Sequence, residues 1–313
     1  MKTIIIAGGT GQIGQILKDF FIKKGIKVII TTRFKRKELK TKNYEIKKIN
    51  IYDADKIESL LKKYNPISVF YLAGQSSPIN SFKKKGETFK SNFIGCKNFL
   101  EVIRKNNFQI KFFNSSSSEI FAKTKKKLLV NSKKKSNSPY SYSKLRSFYL
   151  TKNYREKYRL KTYNIIFFNT ESIFRNKNYL IPKICNAAIQ ANKINKKTTF
   201  GNLNIIREWN WAHDQCKTLV RFINKEPQDF ILSNGKKYSV LDMIKFAFDY
   251  FKLDYKNYIK VSSKFIRKNE VLEKKSNYFY YLKKNNIKRP KFVHGRALIQ
   301  KMIKYYLKNS HNL

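Results

Sequence analysis

A glycine-rich segment near the start of the chain constrains the fold more than any other feature. Residues 8–14 read GGTGQIG and follow an apolar run, Thr3–Ala7, that predicts a buried strand. Apolar residues at helical spacing follow at residues 13–24, and Gly25 predicts a helix end. A glycine loop between a strand and a helix lets a pyrophosphate approach the backbone at a helix N-terminus. We therefore expect a dinucleotide to contact Gly8, Gly9, Thr10, Gly11, Gln12, Ile13 and Gly14.

Strand and helix patterns alternate through the first half of the chain. Further strands are predicted at residues 28–32, 69–73, 110–114 and 162–168, and helices at residues 55–63, 91–105 and 140–158. Short connections between alternating elements favour parallel strands with helices on both faces. The sequence therefore predicts an α/β fold with a Rossmann-type doubly wound parallel sheet, which a strand at residues 230–233 would extend.

The pattern is looser after residue 170. Helical stretches at residues 182–191, 240–251 and 297–306 are separated by polar, lysine-rich segments, as is typical of a smaller mixed cap domain. We expect a cofactor-binding domain at residues 1–169, with a further segment near residues 208–235. Residues 170–207 and 236–313 would form a substrate-binding cap. Residues 123–137 are polar and free of glycine, and they predict a mobile surface loop.

The charge of the chain is strongly positive. Its 313 residues include 68 Lys and Arg against 20 Asp and Glu, a formal net charge of +48. Such a charge attracts nucleic acid or anionic surfaces. The lysines are spread along a chain that is also rich in Asn, Ile, Tyr and Phe. This distribution favours the interpretation that solvent-exposed faces have drifted toward lysine without a binding function. Nucleic acid is thus a disfavoured partner, although a positive field would also draw in an anionic sugar nucleotide.

Several classes of protein are disfavoured by composition. No apolar run approaches the roughly 20 residues that a membrane-spanning helix needs, and the start lacks a signal-peptide core. We therefore expect a cytoplasmic protein without a membrane partner. Cys96, Cys185 and Cys216 lie far apart with no CxxC spacing, so we expect neither disulfides nor a metal site.

The end of the second predicted strand bears on the cofactor. An acidic residue there would bind the ribose 2′-hydroxyl of NAD, whereas an arginine suits the 2′-phosphate of NADP. This strand ends in Thr31 and Thr32, and Arg33 follows, with Lys35 and Arg36 close behind. The pattern favours NADP as the cofactor, with NAD as the alternative.

A tyrosine and a lysine mark a candidate catalytic helix. Tyr140 and Lys144 lie one turn apart on the same helical face. A nearby ammonium lowers the pKa of a phenol, so that the phenolate can act as a base near neutral pH. Residues 115–118 are all serine and follow a predicted strand, and a hydroxyl there could share the substrate proton. With the glycine loop, these residues form the short-chain dehydrogenase set.

Several segments carry a closer resemblance. In chain order they read GGTGQIG, LAGQS (72–76), SSSEIF (116–121), SPYSYSK (138–144), NYREKY (153–158), FNTES (168–172) and GNL (201–203) with REW (207–209). In this order they resemble the GDP-mannose 4,6-dehydratase family over nearly the whole chain. The resemblance implies redox-neutral dehydration of GDP-mannose, or a close GDP-sugar, to a GDP-4-keto-6-deoxy sugar. It also implies bound NADP and a homodimer or homotetramer.

The resemblance also implies residue roles. Tyr140, assisted by Ser117 and paired with Lys144, would take the 4-hydroxyl proton while C4 gives hydride to NADP. Glu119 would remove the C5 proton and help water leave from C6. Besides the glycine loop and Arg33, the implied cofactor contacts are Asn50, Ile51, Leu72, Ala73, Gln75, Ser76, Tyr140, Lys144 and Arg175. The implied substrate contacts are Asn169, Lys183, Asn202, Arg207, Arg267 and Glu270.

The sequence departs from the family pattern at several positions. Thr170 stands where the family has a histidine beside the nicotinamide site, and Asn50 replaces an aspartate near the adenine. A GDP-sugar 4-reductase, epimerase or C4 oxidase is therefore the alternative, and it would not need Glu119 as a base. A third alternative is a non-catalytic nucleotide- or nucleic-acid-binding protein, but it would have no reason to keep Tyr140 and Lys144 at catalytic spacing.

Overall fold

The computed structural model describes residues 1–34, 41–265 and 271–309. The chain divides into two compact units. Unit 1 consists of Met1–Ala122, Val130–Phe167 and Cys216–Leu232, and unit 2 of Lys123–Leu129, Phe168–Gln215 and Ser233–Leu313. No helix in the described ranges is long and apolar enough to cross a bilayer.

The strands, in chain order, are β1 (Thr3–Ala7), β2 (Lys27–Thr32), β3 (Tyr44–Lys48), β4 (Ser68–Tyr71), β5 (Lys111–Ser117), β6 (Thr162–Phe167), β7 (Thr170–Glu171), β8 (Thr198–Phe200), β9 (Ile206–Arg207), β10 (Asn210–Trp211), β11 (Asp229–Leu232), β12 (Tyr238–Ser239) and β13 (Ile259–Val261). The α-helices are α1 (Gln12–Ile22), α2 (Ala54–Tyr64), α3 (Pro78–Lys83), α4 (Lys85–Phe89), α5 (Gly95–Lys105), α6 (Pro139–Tyr158), α7 (Leu180–Ile194), α8 (Ala212–Phe222), α9 (Val240–Asp249), α10 (Tyr278–Lys284) and α11 (Gly295–Lys308). A π-helical turn, Lys90–Ile94, precedes α5, and 3₁₀ turns lie at Ser118–Ile120, Tyr255–Asn257 and Ser263–Phe265.

Unit 1 is built on a seven-stranded sheet. Its strand order is β11-β6-β5-β4-β1-β2-β3, and all neighbouring pairs are parallel. The chain runs outward from β1 to β3 and then returns to β4, so the order reverses between β1 and β4. Ligands of such sheets bind at the carboxyl ends of the strands beside this reversal. The predicted Rossmann-type α/β fold is confirmed.

Helices cover both faces of this sheet. Phe70 and Tyr71, adjacent on β4, point to opposite faces because side chains alternate along a strand. The Phe70 ring packs against Phe21 of α1, with ring centroids 5.3 Å apart, and the Tyr71 ring packs against Phe99 of α5 at 5.7 Å. Two-sided burial explains why the strands read as continuous apolar runs.

A row of buried polar side chains crosses three strands of unit 1. Asn114 on β5 and Asp229 on β11 are register partners of Asn164 on β6. The Asn114 Nδ2 atom donates to Asn164 Oδ1 at 2.9 Å, and Asn164 Nδ2 donates to Asp229 Oδ1 at 3.0 Å. Arg155 of α6 completes the row, with its Nη2 atom 2.8 Å from Asp229 Oδ1. These bonds hold the register of β5, β6 and β11 beneath α6.

In its described residues, unit 2 holds three two-stranded sheets, β7 with β10, β9 with β12 and β8 with β13. Residues of α7, α9 and α11 form its apolar core. The buried Glu208 carboxylate ties three segments together: it accepts hydrogen bonds from the Ser276 amide at 2.6 Å, the Ser276 hydroxyl at 2.7 Å and the Ser233 hydroxyl. Leu128 is buried, and its backbone bonds to Lys275 and Asn277 anchor the part of the predicted surface loop that belongs to this unit.

The described carboxylates commonly serve more than one donor. Glu45 contacts Lys27 Nζ at 2.6 Å, Lys47 Nζ at 3.7 Å and the Tyr64 hydroxyl at 2.7 Å. Burial alone would raise the pKa of Glu45, but hydrogen bonds from Lys27 and Tyr64 and the two lysine charges lower it to about 2. Glu45 thus serves three donors at once.

Some elements were not predicted. The edge strand β3 has the sequence YEIKK, in which a single aliphatic residue stands among polar ones, because an edge strand needs little apolar surface. The helix predicted at residues 91–105 begins instead as the π-helical turn at Lys90–Ile94. Helix α8 was also missed, because its charged and polar residues mask the apolar face.

The polar row yields a stability prediction. Replacing Asp229 by alanine removes the carboxylate that both Arg155 and Asn164 bind and leaves the guanidinium without its counter-charge, so we expect Asp229→Ala to lower the free energy of unfolding by about 3 kcal/mol. Both tryptophans, Trp209 and Trp211, lie in unit 2, so urea unfolding of unit 1 should be followed by far-UV circular dichroism.

The matched control is Glu156→Ala, also in unit 1. The Glu156–Lys152 ion pair on α6 is exposed, with 62% and 44% of the two side chains accessible, and we expect its loss to cost less than about 1 kcal/mol. Equal losses for the two variants would contradict a structural role for the polar row.

Candidate active site

The glycine loop lies at the strand reversal of unit 1. Gly8 has φ +76°, and a Cβ there would come within 2.6 Å of the Ala73 Cα, so only glycine lets the loop touch the chain that leaves β4. Gly14 packs against the backbone of Gly9 in the same way. At Gly11 a Cβ would meet no atom closer than Gly8 O at 3.6 Å. Gly11, at the N-terminus of α1, is thus less crowded than Gly8 and Gly14, and a helix N-terminus is where a pyrophosphate binds.

The chain after β4 is held against this loop. The Leu72 amide donates to Ala7 O at 2.9 Å. Gly74 has φ +145°, and a Cβ there would collide with Asn92 Oδ1. Asn92, buried in the π-helical turn, donates to Gln75 O and to Ser143 Oγ, both at 3.1 Å. One amide thus links the predicted cofactor-contacting segment at residues 72–76 to α6.

The predicted catalytic tyrosine and lysine lie in the first turns of α6. Ser138 caps this helix in a capping box with Ser141, and Pro139 occupies its first turn, which fixes where the helix begins. Tyr140 and Lys144 are both buried. The Lys144 ammonium donates to Ser115 O at 2.8 Å and to Ser115 Oγ at 3.2 Å. Burial lowers the pKa of Lys144 to about 8.

Ser117 and Glu119 lie where β5 ends. Ser117 Oγ accepts a hydrogen bond from the Glu119 amide at 3.2 Å, which starts the 3₁₀ turn Ser118–Ile120. Glu119 is half-buried, whereas Ser117 is buried. Helix α6 packs against both β5 and this turn. The bonds from Lys144 to Ser115 hold the start of α6 against β5. The four predicted catalytic residues therefore lie at the end of β5 and the start of the helix packed against it.

Three further predicted cofactor contacts follow β2 and β3. Arg33, directly after β2, pairs with Glu87 of α4, with its Nη1 atom 2.7 Å from Glu87 Oε1. Asn50 Oδ1 accepts a hydrogen bond from the Tyr52 amide at 3.1 Å, and Ile51 O accepts one from Asn98 Nδ2 at 3.1 Å. The Asn50 and Ile51 contacts shape the turn between β3 and α2.

Predicted substrate contacts lie in unit 2. Lys183 of α7 donates to Thr199 O at 2.7 Å, with its Nζ 4.6 Å from the Phe200 ring centroid and 4.9 Å from that of Phe265. Burial lowers the pKa of Lys183. Asn202 Oδ1 accepts a hydrogen bond from the Asn204 amide at 2.9 Å. Asn169 accepts at its backbone oxygen from Asn210, whose amide and side-chain nitrogen both lie at 2.9 Å.

Arg207 is buried rather than solvated. Its guanidinium donates to Ile206 O at 2.8 Å, Leu272 O at 3.1 Å and Val271 O at 2.7 Å. These bonds position the chain at residues 271–272. Arg267 and Glu270, two other predicted substrate contacts, lie outside the described residues.

Arg175 lies beside a buried carboxylate. Its Nε atom is 3.8 Å from Glu171 Oε2, and its guanidinium carbon lies 3.6 Å from the centroid of the Tyr179 ring. Burial raises the pKa of Glu171 to about 7, although the charge of Arg175 lowers it in part. The guanidinium is therefore in contact with an aromatic ring and within ion-pair distance of a carboxylate.

Sequence reasoning missed Asn92, Ser115 and Glu171. Asn92 interrupts an apolar helical pattern with a buried amide, a feature that could have marked it. Ser115 lay within the recognised serine run, but only the structure shows that the lysine bonds to it. Nothing in the sequence around Glu171 indicates that its carboxylate is buried.

Fold and site together define a Rossmann-type protein with the serine, tyrosine and lysine of the short-chain dehydrogenases. The family model described as GDP-mannose 4,6 dehydratase matches residues 5–290. The chain belongs to this family, which confirms the resemblance seen in its motifs.

Relatives and solved structures agree with this assignment. The chain is 27% identical to GDP-mannose 4,6 dehydratase 1 of Arabidopsis thaliana, over 86% of this chain and 80% of the relative. It is 28% identical to GDP-mannose 4,6-dehydratase of Vibrio cholerae, over 78% and 70%. The fold also resembles the dTDP-glucose 4,6-dehydratase DesIV of Streptomyces venezuelae (TM-score 0.86, 15% identity, 99% of this chain, 98% of that one). The UDP-glucose 4-epimerase of Thermotoga maritima has the same fold (TM-score 0.86, 20% identity, 98% and 99%).

The buried Glu171 yields a pH prediction. The pKa of the Glu171 carboxyl is about 7 in the folded protein and near 4.5 in the unfolded chain. The contribution of this group to stability is therefore fully present below about pH 4.5 and is lost as the pH rises through about 7. Glu171→Gln removes that dependence. We expect the stability of the variant relative to the wild type to increase by about 2 kcal/mol between pH 5 and pH 8.

Urea unfolding followed by tryptophan fluorescence can measure this difference, because Trp211 on β10 is the register partner of Glu171. A stability difference that stays constant between pH 5 and pH 8 would show that the folded and unfolded pKa values of Glu171 are the same.

Proposed function

We propose that the protein is a nucleotide-sugar 4,6-dehydratase that converts GDP-mannose, or a close GDP-sugar, to a GDP-4-keto-6-deoxy sugar with bound NADP. The observation that carries the proposal is that Ser117, Glu119, Tyr140 and Lys144 lie at the end of β5 and the start of α6, which Lys144 joins by its bonds to Ser115. Asn92 links α6 in turn to the segment after β4, which touches the glycine loop. Membership of the family supports the reaction type.

The glycine loop and residues 72–76 would hold the cofactor. The uncrowded backbone at Gly11 and the close approach of Gly8 to Ala73 fit a dinucleotide pyrophosphate. Arg33, Asn50, Ile51 and Arg175 would complete its contacts. A nicotinamide cofactor supplies a reversible hydride acceptor, which is why the overall dehydration is redox-neutral.

Tyr140 would remove the proton from the sugar 4-hydroxyl. Lys144, fixed by its two bonds to Ser115, places a positive charge one turn from the phenol on the same helical face. This charge favours the phenolate, so Tyr140 can act as a base near neutral pH. The hydroxyl of Ser117 would share the proton at the end of β5.

Glu119 would then act at C5 and C6. A ketone at C4 acidifies the C5 proton, and a carboxylate can accept that proton and then deliver one to the leaving 6-hydroxyl. The bond between the Glu119 amide and Ser117 Oγ fixes the backbone of Glu119 directly after the serine. Half-burial leaves its side chain accessible to a substrate.

The sugar nucleotide would be bound by residues of unit 2. Lys183 and Arg207 are cations suited to the pyrophosphate, although Arg207 already donates to three carbonyl oxygens. Asn169 and Asn202 would contact the sugar or the nucleoside, together with Arg267 and Glu270. We also expect the family's dimeric or tetrameric assembly.

A 4-reductase, epimerase or C4 oxidase on a GDP-sugar is the second candidate. The solved structures with a similar fold include a UDP-glucose 4-epimerase. An enzyme of this second kind would use Tyr140 and Lys144 but not Glu119. The two candidates therefore differ in what they predict for the Glu119 carboxylate.

The decisive measurement is product mass after incubation of the purified protein with GDP-mannose and catalytic NADP. We expect loss of one water without net cofactor reduction, and in D₂O one deuterium at C5. Both Tyr140→Phe and Glu119→Gln should slow the reaction by about 100-fold or more, because each removes an acid–base group.

Glu156→Gln makes the same chemical change at an exposed position of α6 and should leave the rate unchanged. An unchanged substrate mass would exclude dehydration of GDP-mannose. Full dehydratase activity in Glu119→Gln would instead show that another group removes the C5 proton.

A further inference from the structure

An acidic residue reaches the arginine that follows β2. Glu87 lies on α4, far from Arg33 in sequence, yet its Oε1 atom is 2.7 Å from Arg33 Nη1. Lys84 Nζ lies 3.5 Å from the other carboxylate oxygen. The guanidinium also lies over the Phe34 ring, 4.9 Å from its centroid. Neither the strand pattern nor the family resemblance had indicated Glu87.

Arg33 and Glu87 lie close to the glycine loop. The Gly8 amide donates to Thr31 O at 3.0 Å, two residues before Arg33. The end of β2 is where Rossmann proteins recognise the 2′ position of the adenosine ribose. The two charges also act on Tyr52: burial raises the pKa of this tyrosine, Arg33 lowers it and Glu87 raises it. The pair therefore lies beside the turn at residues 50–52 as well.

Glu87 is fixed to the same edge through its backbone. The Ser91 hydroxyl donates to Glu87 O at 2.8 Å and accepts from the Gln75 amide at 3.3 Å. The Tyr71 hydroxyl, at the end of β4, donates to Ser91 O at 2.6 Å. Two connections thus run from the carboxyl end of β4 to the segment that carries Glu87.

The pair contributes little to folding. The Arg33 side chain is 62% exposed and that of Glu87 34%, and ion pairs this accessible add at most about 1 kcal/mol to stability. The hydrogen bond from Arg33 lowers the pKa of Glu87, so the carboxylate is ionised at neutral pH. Removing its charge should therefore leave the fold intact.

The site combines two opposite recognition chemistries. Arginine after β2 favours the 2′-phosphate of NADP, whereas a carboxylate accepts the 2′-hydroxyl of NAD and repels a phosphate. A 2′-phosphate at Arg33 must compete with a carboxylate already bonded to that guanidinium. We propose that Glu87 is a cofactor-selectivity residue that weakens the preference of the adenosine subsite for NADP over NAD.

This inference rests on the proposed dinucleotide site, and cofactor binding tests it without turnover. Isothermal titration calorimetry of the full-length protein with NADP⁺ and with NAD⁺ gives the ratio of the two dissociation constants. We expect Glu87→Gln to shift this ratio about fivefold toward NADP, as loss of one partly screened charge implies. Arg33→Gln should shift the ratio in the opposite direction.

Glu58→Gln is the matched control. Glu58 of α2 pairs with Lys62, and the carboxylate side chain is 34% exposed, the same as that of Glu87. We expect it to leave the ratio unchanged. We expect the variants to shift the ratio of dissociation constants in the same directions when 2′,5′-ADP and 5′-AMP replace NADP⁺ and NAD⁺. These two compounds carry only the adenosine end of each cofactor.

The outcomes are distinguishable. A ratio that shifts in Glu87→Gln and not in Glu58→Gln supports the inference. Binding of both cofactors with the same ratio in the wild type and in Glu87→Gln overturns it and leaves the proposed function standing. If the wild type binds neither cofactor, the proposed function itself fails.

Discussion

The proposed active site of unit 1 depends on one contact between two stretches of backbone. Gly8 and Ala73 approach so closely that a Cβ on the glycine would lie 2.6 Å from the alanine Cα. This contact joins the loop after β1 to the chain after β4, the two strands between which the sheet order reverses. The contact needs a positive φ and no side chain, so the first glycine of the motif follows from a single steric requirement.

Buried hydrogen bonds close to this contact join the segments that carry the proposed catalytic groups. Asn92 connects the chain after β4 to Ser143 on α6, and Lys144 connects α6 to Ser115 on β5. A buried amide or ammonium without partners is costly, so each bond has a strongly preferred geometry. The proposed base and acid are therefore held by polar contacts inside the unit and not by the surface lysines that dominate the composition.

Sequence reasoning predicted the sheet, because two-sided burial makes β1, β2, β4, β5 and β6 read as apolar runs. It missed β3, since an edge strand with one neighbour needs few apolar residues. The glycine loop and the tyrosine–lysine pair were recognisable because their chemistry requires local spacing. Contacts between distant segments were not: Glu87 reaches Arg33 across 54 positions, and Arg207 bonds to carbonyl oxygens 64 and 65 positions away. No local pattern encodes such pairs.

The sharing of carboxylates has a consequence for how this protein responds to acid. Glu45 and Glu87 each bind two cations, and these contacts lower the pKa of both carboxyls. Protonation of such a group frees several cations or donors together, and it can only add to a net charge that already stands at +48. Mutual repulsion among the lysines therefore grows just as the groups that offset it disappear. For this molecule, acidification should act as a cooperative trigger of unfolding, with the few shared carboxylates setting its threshold.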